Sequence, residues 1–390
     1  MTKQEIGSVI ESIRPADGPA MEKAQQRQDQ LAKPPGSLGG LEEIAVRMAG
    51  ITGEVIADAP QRGCVLVFCA DNGVTAQGVA SAPQSVTRAQ TINFTRRLTG
   101  VGVLSKSFGS ELLIVDMGVK EPIPGELYDD VPLRDTERII DRRIRPGTWD
   151  ISQGPAMSEE EALQALAAGM EMARAAIEEG YDILGIGEMG IGNTTTSAAV
   201  LSALTGRTAE ETCGRGGGVN DKGFARKKEI VEQVRRECSE AAADSEAAES
   251  GAGSEDRIDR VVRILARAGG FDLCAMTGAY LGAAAGRTPA VIDGYISAVA
   301  ALAAAEISPD AKDYLFASHR SAEPGYNIAI DKLGLNPFLS LDMRLGEGSG
   351  CPIAFDIIRG ACDVMRNMAT FEEAEINDDY LEEVRQGGCL

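Results

Sequence analysis

Short apolar runs alternate with longer helix-like stretches along most of this 390-residue chain. Each run ends in small or polar residues before the next helical pattern begins. The runs that we predict as strands cover residues 64–69, 112–115, 181–184, 290–292, 314–316 and 338–341. Short β-rich runs that alternate with helices are typical of βα units. The pattern therefore predicts an α/β fold built on a parallel sheet.

The remaining patterns predict helices and one unusual segment. We expect two polar helices within residues 4–32, broken near residues 15–18, and further helices over 41–48, 198–204, 225–237 and 353–368. Residues 238–256 are rich in Ala, Ser, Glu and Gly. This composition is typical of a solvated insertion, which we predict to be mobile.

Polar residues follow the predicted strands at the points where the runs end. They are Asp71, Asp116, Glu188, Asp293, Ser318 and Glu347. In a parallel sheet, ligands bind outside the carboxyl ends of the strands. We therefore expect several of these residues to face one crevice.

Composition excludes several classes of function. The net charge of -21 argues against nucleic acid and anionic membranes as partners. No apolar stretch is long enough to span a bilayer, and the first residues lack the apolar core of a signal peptide. Eight scattered cysteines without a C-x-x-C pair predict reduced thiols and a cytoplasmic location.

The chain has a single histidine, His319, which excludes metal sites built from histidine clusters. We predict no metal and no cofactor. A structural role is the default for His319. If the protein is an enzyme, its acid–base chemistry falls to carboxylates.

Glu347 is the most informative of these carboxylates. It lies in the segment RLGEGSG at residues 344–350, between an apolar run and a helical pattern. Flanking glycines let the backbone approach a ligand closely. An acid held at a strand-to-helix exit is well placed as a general base. The alternative is an ordinary loop acid near a helix start.

The first glycine-rich segment, GIGEMG at residues 185–190, matches the G-x-G-x-x-G pattern of dinucleotide sites. However, it does not follow the first strand, and no second strand ending in an acid comes about twenty residues later. Asn193 and Thr194 then open an apolar helix, whose free N–H groups suit a single phosphate. A capping turn without a ligand is equally compatible with the spacing.

The second glycine-rich segment covers residues 214–222, with the sequence GRGGGVNDK. Consecutive glycines let N–H groups converge on an anion, and Arg215 and Lys222 add positive charge. The spacing is not that of a nucleoside-triphosphate loop. It favours a phosphorylated substrate, although a flexible linker is also compatible.

Residues 70–94 begin at a strand end and continue with the small polar residues Ser81, Gln84, Ser85 and Gln90. Such a segment can line a pocket for a flat, neutral molecule. An ordinary connection is the alternative.

Taken together, these segments resemble the nicotinate-nucleotide–dimethylbenzimidazole phosphoribosyltransferase family. The matching blocks, in order, are PGSLG (35–39), ADNGV (70–74) with residues 86–87, GEMGIGNTT (187–195), GRG (214–216), EPG (323–325) and LGEGSG (345–350). The resemblance runs from near residue 33 to near residue 355.

The resemblance implies a Rossmann-like core over 60–350, a smaller helical domain from residues 1–50 and 351–390, and a homodimer. It implies transfer of phosphoribose from nicotinate mononucleotide to a nitrogen of a lower-ligand base, with release of nicotinate, during cobamide assembly. Glu347 is then the general base, Glu188 is a second active-site acid, and the two glycine-rich segments hold the phosphate.

Two groups of binding residues follow. The phosphate candidates are Gly187, Gly190, Gly192, Asn193, Thr194, Gly214, Arg215, Gly216 and Lys222. The candidates for the base pocket are Asp71, Ser81, Gln84, Gln90 and Leu345.

Two positions depart from the family pattern, which often has histidine where this chain has Asn72 and Tyr326. The acceptor therefore stays open among a purine, a substituted benzimidazole and a phenolic base. Two other functions also stay open. One is a dinucleotide-dependent oxidoreductase, and the other is a partner subunit of a heteromeric phosphoribosyltransferase acting on phenolic bases.

Overall fold

The structure is a computed structural model that describes residues 1–129, 136–246 and 254–381. Within these residues one sheet contains β1 (Gly63–Ala70), β2 (Glu111–Gly118), β3 (Ile139–Asp141), β4 (Ile183–Met189), β5 (Ala290–Ile292) and β6 (Leu315–Ala317). The spatial order is β3-β2-β1-β4-β5-β6, and every neighbouring pair is parallel. The predicted α/β fold with a Rossmann-like sheet is confirmed.

Helices α1 to α7 are Lys3–Ser12, Gly18–Gln30, Gly40–Thr52, Ser85–Thr95, Gly100–Ser107, Glu159–Glu178 and Asn193–Thr205. Helices α8 to α14 are Ala209–Thr212, Asp221–Glu246, Ser254–Ala268, Phe271–Ala285, Tyr295–Ile307, Pro324–Leu333 and Cys351–Asn367. The central strands β1 and β4 are buried along their whole length, as a parallel sheet covered by helices on both faces requires.

The sheet order places a topological switch point between β1 and β4. From β1 the chain builds outward through β2 and β3, whereas β4 leads to β5 and β6 on the other side. A crevice opens at such a point, outside the carboxyl ends of the strands. The candidate site is therefore expected beyond Ala70 and Met189.

Two predictions about elements were wrong. Residues 338–341 form no strand; only an isolated bridge joins Leu339 to His319. The short strand β3 was missed, because its three residues stand in a polar, Arg-rich segment. Helix α9 continues to Glu246, so residues 238–246 of the predicted insertion are helical. Residues 247–253 of that segment lie outside the described residues, and its predicted mobility stays a prediction.

The N-terminal helices and the segment around α14 are in contact. The backbone N–H of Ala32 donates to the Ala369 carbonyl at 2.9 Å, and α14 packs against α3. Helix α14 also contacts β1 and β4, so it joins the terminal segments to the sheet. The division into a core and a smaller helical domain stays a prediction, and residues 382–390 lie outside the described part of the chain.

Candidate active site

A cavity of about 320 Å³ lies beyond the carboxyl ends of β4 and β5. It is lined by residues 79–82, Val86, Gln90, residues 187–194, 215–217 and 293–297, His319, Ser321, Glu323 and residues 344–347. Most of the predicted site residues are therefore brought together in one place.

Glu347 enters this cavity from an irregular loop rather than from a strand. Its φ of 66° is left-handed, and the flanking Gly346 and Gly348 have φ values of 86° and 87°. Three successive left-handed residues turn the chain sharply before α14 begins. The side chain is only 4% exposed although it lines the cavity.

Neutral groups hold the Glu347 carboxylate. Its Oε2 accepts a hydrogen bond from the Val101 backbone N–H at 3.2 Å, and its Oε1 accepts one from Gln90 Nε2 at 3.4 Å. Burial raises the pKa of Glu347, and the nearby charge of Asp293 adds to the rise. A carboxylate with a raised pKa is a stronger base than one in water, which suits proton abstraction near neutral pH.

Asp293, the residue after β5, fixes the backbone of this loop. Its Oδ2 accepts the Gly348 N–H at 3.0 Å, and its Oδ1 accepts the Gly350 N–H at 2.7 Å. His319 lies behind it, with Nδ1 3.8 Å from Asp293 Oδ1 and 3.0 Å from Ser318 Oγ. His319 is thus buried and hydrogen-bonded, and it also lines the cavity.

Glu188 is the second acid in the cavity and lies near the end of β4. The side-chain Nδ2 of Asn193 donates a short hydrogen bond to Glu188 Oε2. Burial, together with the charges of Asp272 and Asp293, raises the pKa of Glu188 well above its ordinary value. Two acids with different surroundings thus share one cavity.

The first glycine-rich segment is mostly strand. Residues 185–189 belong to β4, so the pattern G-x-G-x-x-G does not form the turn that a dinucleotide needs. The turn comes later, where Gly192 has a φ of 97° and α7 starts at Asn193. Gly192, Asn193 and Thr194 at that helix start line the cavity, and a helix N-terminus favours an anion.

The second glycine-rich segment packs beside that helix start, where a Cβ on Gly216 would stand 2.9 Å from Thr194 Oγ1. Gly216 lines the cavity, whereas Gly214 lines a neighbouring pocket of about 580 Å³. Arg215 lines both, but its guanidinium pairs with Asp221 at 2.6 Å. Lys222, near the start of α9, is exposed and lines neither pocket.

Lys227, further along α9, was missed by the sequence analysis. Its buried Nζ donates to Thr194 Oγ1 and to the Gly214 carbonyl, both at 2.9 Å. It thereby ties the two glycine-rich segments together. Burial lowers its pKa. The sequence does not show whether the side chain of Lys222 or that of Lys227, five residues later, points into the protein.

Glu323 holds the second segment from the other side. Its Oε1 accepts the Gly216 N–H at 3.0 Å. The sequence placed it only in a matching block, without a role.

The predicted base-pocket residues divide into two groups. Ser81, Gln90 and Leu345 line the cavity, but Gln84 and Asp71 do not. Asp71 instead accepts the Lys120 N–H at 2.8 Å, because its strand end is sealed by the turn after β2.

Asp116 likewise does not face the cavity. Its Oδ1 accepts the N–H groups of Gly118 and Val119, and its Oδ2 accepts the Tyr128 hydroxyl at 2.6 Å. It stabilises the turn after β2, so only part of the predicted row of acids reaches the crevice.

Membrane-spanning helices and metal clusters are both absent from the described residues. Within residues 1–129, 136–246 and 254–381, no helix is long and apolar enough to cross a membrane. In that same part of the chain, no group of three His, Cys, Asp or Glu side chains is placed to hold a metal ion.

Comparison with known proteins identifies the class to which this fold and site belong. A family model described as phosphoribosyltransferase matches residues 13–376. The protein is therefore a phosphoribosyltransferase.

Named relatives make the assignment more specific. The nicotinate-nucleotide–dimethylbenzimidazole phosphoribosyltransferase of Clostridium perfringens is 47% identical over 384 residues, covering 98% of this chain and 99% of the relative. The protein of the same name from Chloroflexus aurantiacus is 41% identical over 375 residues, covering 96% and 99%. The crystal structure of CobT from Thermus thermophilus has a TM-score of 0.82 and 38% identity, covering 92% of this chain and 99% of that one. This chain belongs to the nicotinate-nucleotide–dimethylbenzimidazole phosphoribosyltransferase family.

Proposed function

We propose that this chain transfers phosphoribose from nicotinate mononucleotide to a benzimidazole-type base, with Glu347 as general base. The observation that carries the proposal is the buried Glu347 carboxylate, which faces a cavity of substrate size and is held only by neutral donors. The product is an α-ribazole-type 5′-phosphate, used in assembling the nucleotide loop of cobamides.

The electron flow needs one base and no metal. A ring nitrogen of the acceptor attacks the anomeric carbon, and the carbon–nitrogen bond to the pyridinium breaks. Its electron pair goes to the nicotinate nitrogen, which becomes neutral. The other acceptor nitrogen loses its proton to Glu347, a step worth about two to four decades in rate.

The phosphate is held by the two glycine-rich segments. The residues at the start of α7 and Gly216 both line the cavity. Lys227 supplies buried positive charge behind both segments. Binding energy from this remote phosphate positions the sugar against the acceptor, which is where such enzymes gain much of their rate.

The acceptor side of the cavity suits a flat, mostly apolar ring. Val86 and Leu345 contribute apolar surface, while Gln90 and Ser81 contribute hydrogen-bonding groups. This mixture supports a substituted benzimidazole. A purine or a phenolic base is the alternative outcome of the test below.

We also propose a cytoplasmic homodimer. The cysteines within the described residues are all free, which supports a reducing compartment. Light scattering of the purified protein measures the subunit number, and a mass equal to one chain would overturn the homodimer.

The test is incubation with nicotinate mononucleotide and a panel of benzimidazoles, purines and phenols, with products followed by mass spectrometry. We expect benzimidazole riboside phosphates and free nicotinate. Activity on phenols alone, or only together with a second chain, would favour a heteromeric enzyme. Glu347→Gln should lower kcat by about two to four decades. Asp342→Asn, in the same loop but exposed and outside the cavity, is the matched control.

A further inference from the structure

A fully buried carboxylate, Asp272, lies behind the cavity without lining it. It is the second residue of α11, and its Oδ1 accepts the Leu273 N–H at 2.9 Å. Its Oδ2 faces the carboxamides of Asn72 and Asn193 without a fully formed hydrogen bond to either. Burying a carboxylate oxygen without a full hydrogen bond destabilises the folded protein, so the surroundings of Asp272 Oδ2 need an explanation.

Asn193 connects this carboxylate to the active site. Its Nδ2 donates to Glu188 Oε2 on the cavity side, and Asp272 stands on the other side. A carboxamide nitrogen carries two N–H donors, so one asparagine can serve two carboxylates. Asn193 therefore lies between Glu188 and Asp272, and its hydrogen bond to Glu188 is the one that is fully formed.

No cation balances this pair within the described residues, where neither Glu188 nor Asp272 forms an ion pair. The other titratable groups that face them are two acids, Asp293 and Glu347, and two thiols, Cys69 and Cys274. Asn72, which packs against Asp272 beneath Gly190, is neutral. Two like charges in a buried site cannot both ionise cheaply, so the pair retains one proton.

We propose that Asp272 is a positioning residue for the transfer reaction and that its buried negative charge keeps Glu188 protonated. The inference rests on the proposed function, in which Glu188 is the second acid of the site. Glu188 then offers an O–H donor to the substrate and does not compete with Glu347 for the acceptor proton. Glu347, whose two oxygens accept hydrogen bonds from Val101 and Gln90, is then left as the base.

The surroundings of the two acids agree with this division. Burial raises the pKa of Asp272 to about 6. Burial and the Asp272 charge raise the pKa of Glu188 well above its ordinary value. Both shifts favour a proton retained by the pair.

Infrared spectroscopy of the substrate-free protein tests the proton directly. At pH 7 the wild type should show a protonated-carboxyl C=O band that is absent from Glu188→Gln. In Asp272→Asn this band should disappear at a pH at least about one unit lower, since removing the neighbouring charge lowers the pKa of Glu188. The alkaline limb of kcat/KM, where Glu188 loses its proton, should move by the same amount. Below that limb, kcat/KM should stay within about tenfold of the wild type, because Asp272 does not touch the substrate.

Two further variants test whether the band shift comes from the loss of the Asp272 charge. Asp116→Asn removes another buried carboxylate, outside the cavity, and should move neither the band nor the limb. If Asp272→Asn does not fold, Asn72→His places a cation beside Asp272 and should also lower the pH at which the band is lost. A wild type without the band, or a band unmoved by both substitutions, would overturn the proposal. Because the spectra need no substrate, they also separate this failure from a failure of the proposed transfer.

Discussion

Gly187 lies directly beneath the backbone carbonyl of Glu347. A Cβ placed on Gly187 would stand 2.4 Å from that carbonyl oxygen, well inside contact distance. The end of β4 and the loop that carries the proposed general base are therefore packed backbone to backbone. The position of the carboxylate depends on the absence of one methyl group from the neighbouring strand.

Gly187→Ala should accordingly displace Glu347 and lower kcat. We expect a loss of stability of about 1–3 kcal/mol from overpacking and a kcat loss of about a hundredfold, typical of a 1 Å misplacement of a catalytic group. Chemical denaturation and steady-state kinetics measure both effects. Gly360→Ala, in the middle of α14 with no atom near the added Cβ, should instead stabilise the protein. Full activity in Gly187→Ala would contradict the packing argument.

Lys227→Met should weaken nucleotide binding without touching the acceptor side of the site. The substitution removes the donor that joins Thr194 to the Gly214 carbonyl. Loss of a charge-assisted hydrogen bond of about 1.5–3 kcal/mol corresponds to a rise of roughly ten- to 150-fold in KM for nicotinate mononucleotide. The neighbouring Lys228, which pairs with Glu210 at the surface, gives the matched variant Lys228→Met. Equal KM values in the two variants would show that Lys227 does not contribute to phosphate binding.

The pH dependence of kcat/KM should show an acid limb set by Glu347. Only the deprotonated carboxylate can accept the acceptor proton, and burial raises the pKa of this group. Activity should therefore fall as the pH drops through a value above that of an ordinary glutamate, about tenfold per pH unit below it. The residual activity of Glu347→Gln should lack this limb. A limb that survives the substitution would belong to another group.

The free energy of unfolding should depend on pH through Glu188, and it should fall as the pH rises. Because its pKa is raised in the folded state, the folded protein binds a proton that the unfolded chain releases. The free energy of unfolding therefore decreases as pH rises between the two pKa values, by about 1.4 kcal/mol per unit. Glu188→Gln lacks this contribution, so its stability relative to the wild type should be greater at pH 8 than at pH 5. Urea denaturation across this range measures it, with the exposed Glu54→Gln as control, and identical slopes would refute the assignment.

Most strands of the sheet could be predicted from the sequence because buried parallel strands are short apolar runs, such as residues 64–69 and 290–292. It failed at residues 338–341, where an apolar run packs as irregular chain and makes a single bridge with His319. Local composition does not reveal whether such a run finds a strand to pair with.

The residues of the candidate site likewise divide into those that the sequence predicts and those that depend on tertiary packing. Glu347 and Glu188 could be found because their glycine-rich blocks are distinctive in sequence. Lys227 could not, because its inward direction depends on how α9 docks against α7. Asp71 and Asp116 follow strands as Glu188 does, yet the turn after β2 engages them both. Which strand ends stay open is decided by neighbouring turns, and not by the residue that ends the strand.

The left-handed backbone of Glu347 has a consequence for engineering. A non-glycine residue in this conformation costs about 1 kcal/mol or more, and glycine would relieve the strain. Laboratory evolution for heat resistance alone would thus reward the loss of this acid. A selection for robust variants must therefore be coupled to a screen for turnover, or it will enrich folded proteins that no longer catalyse.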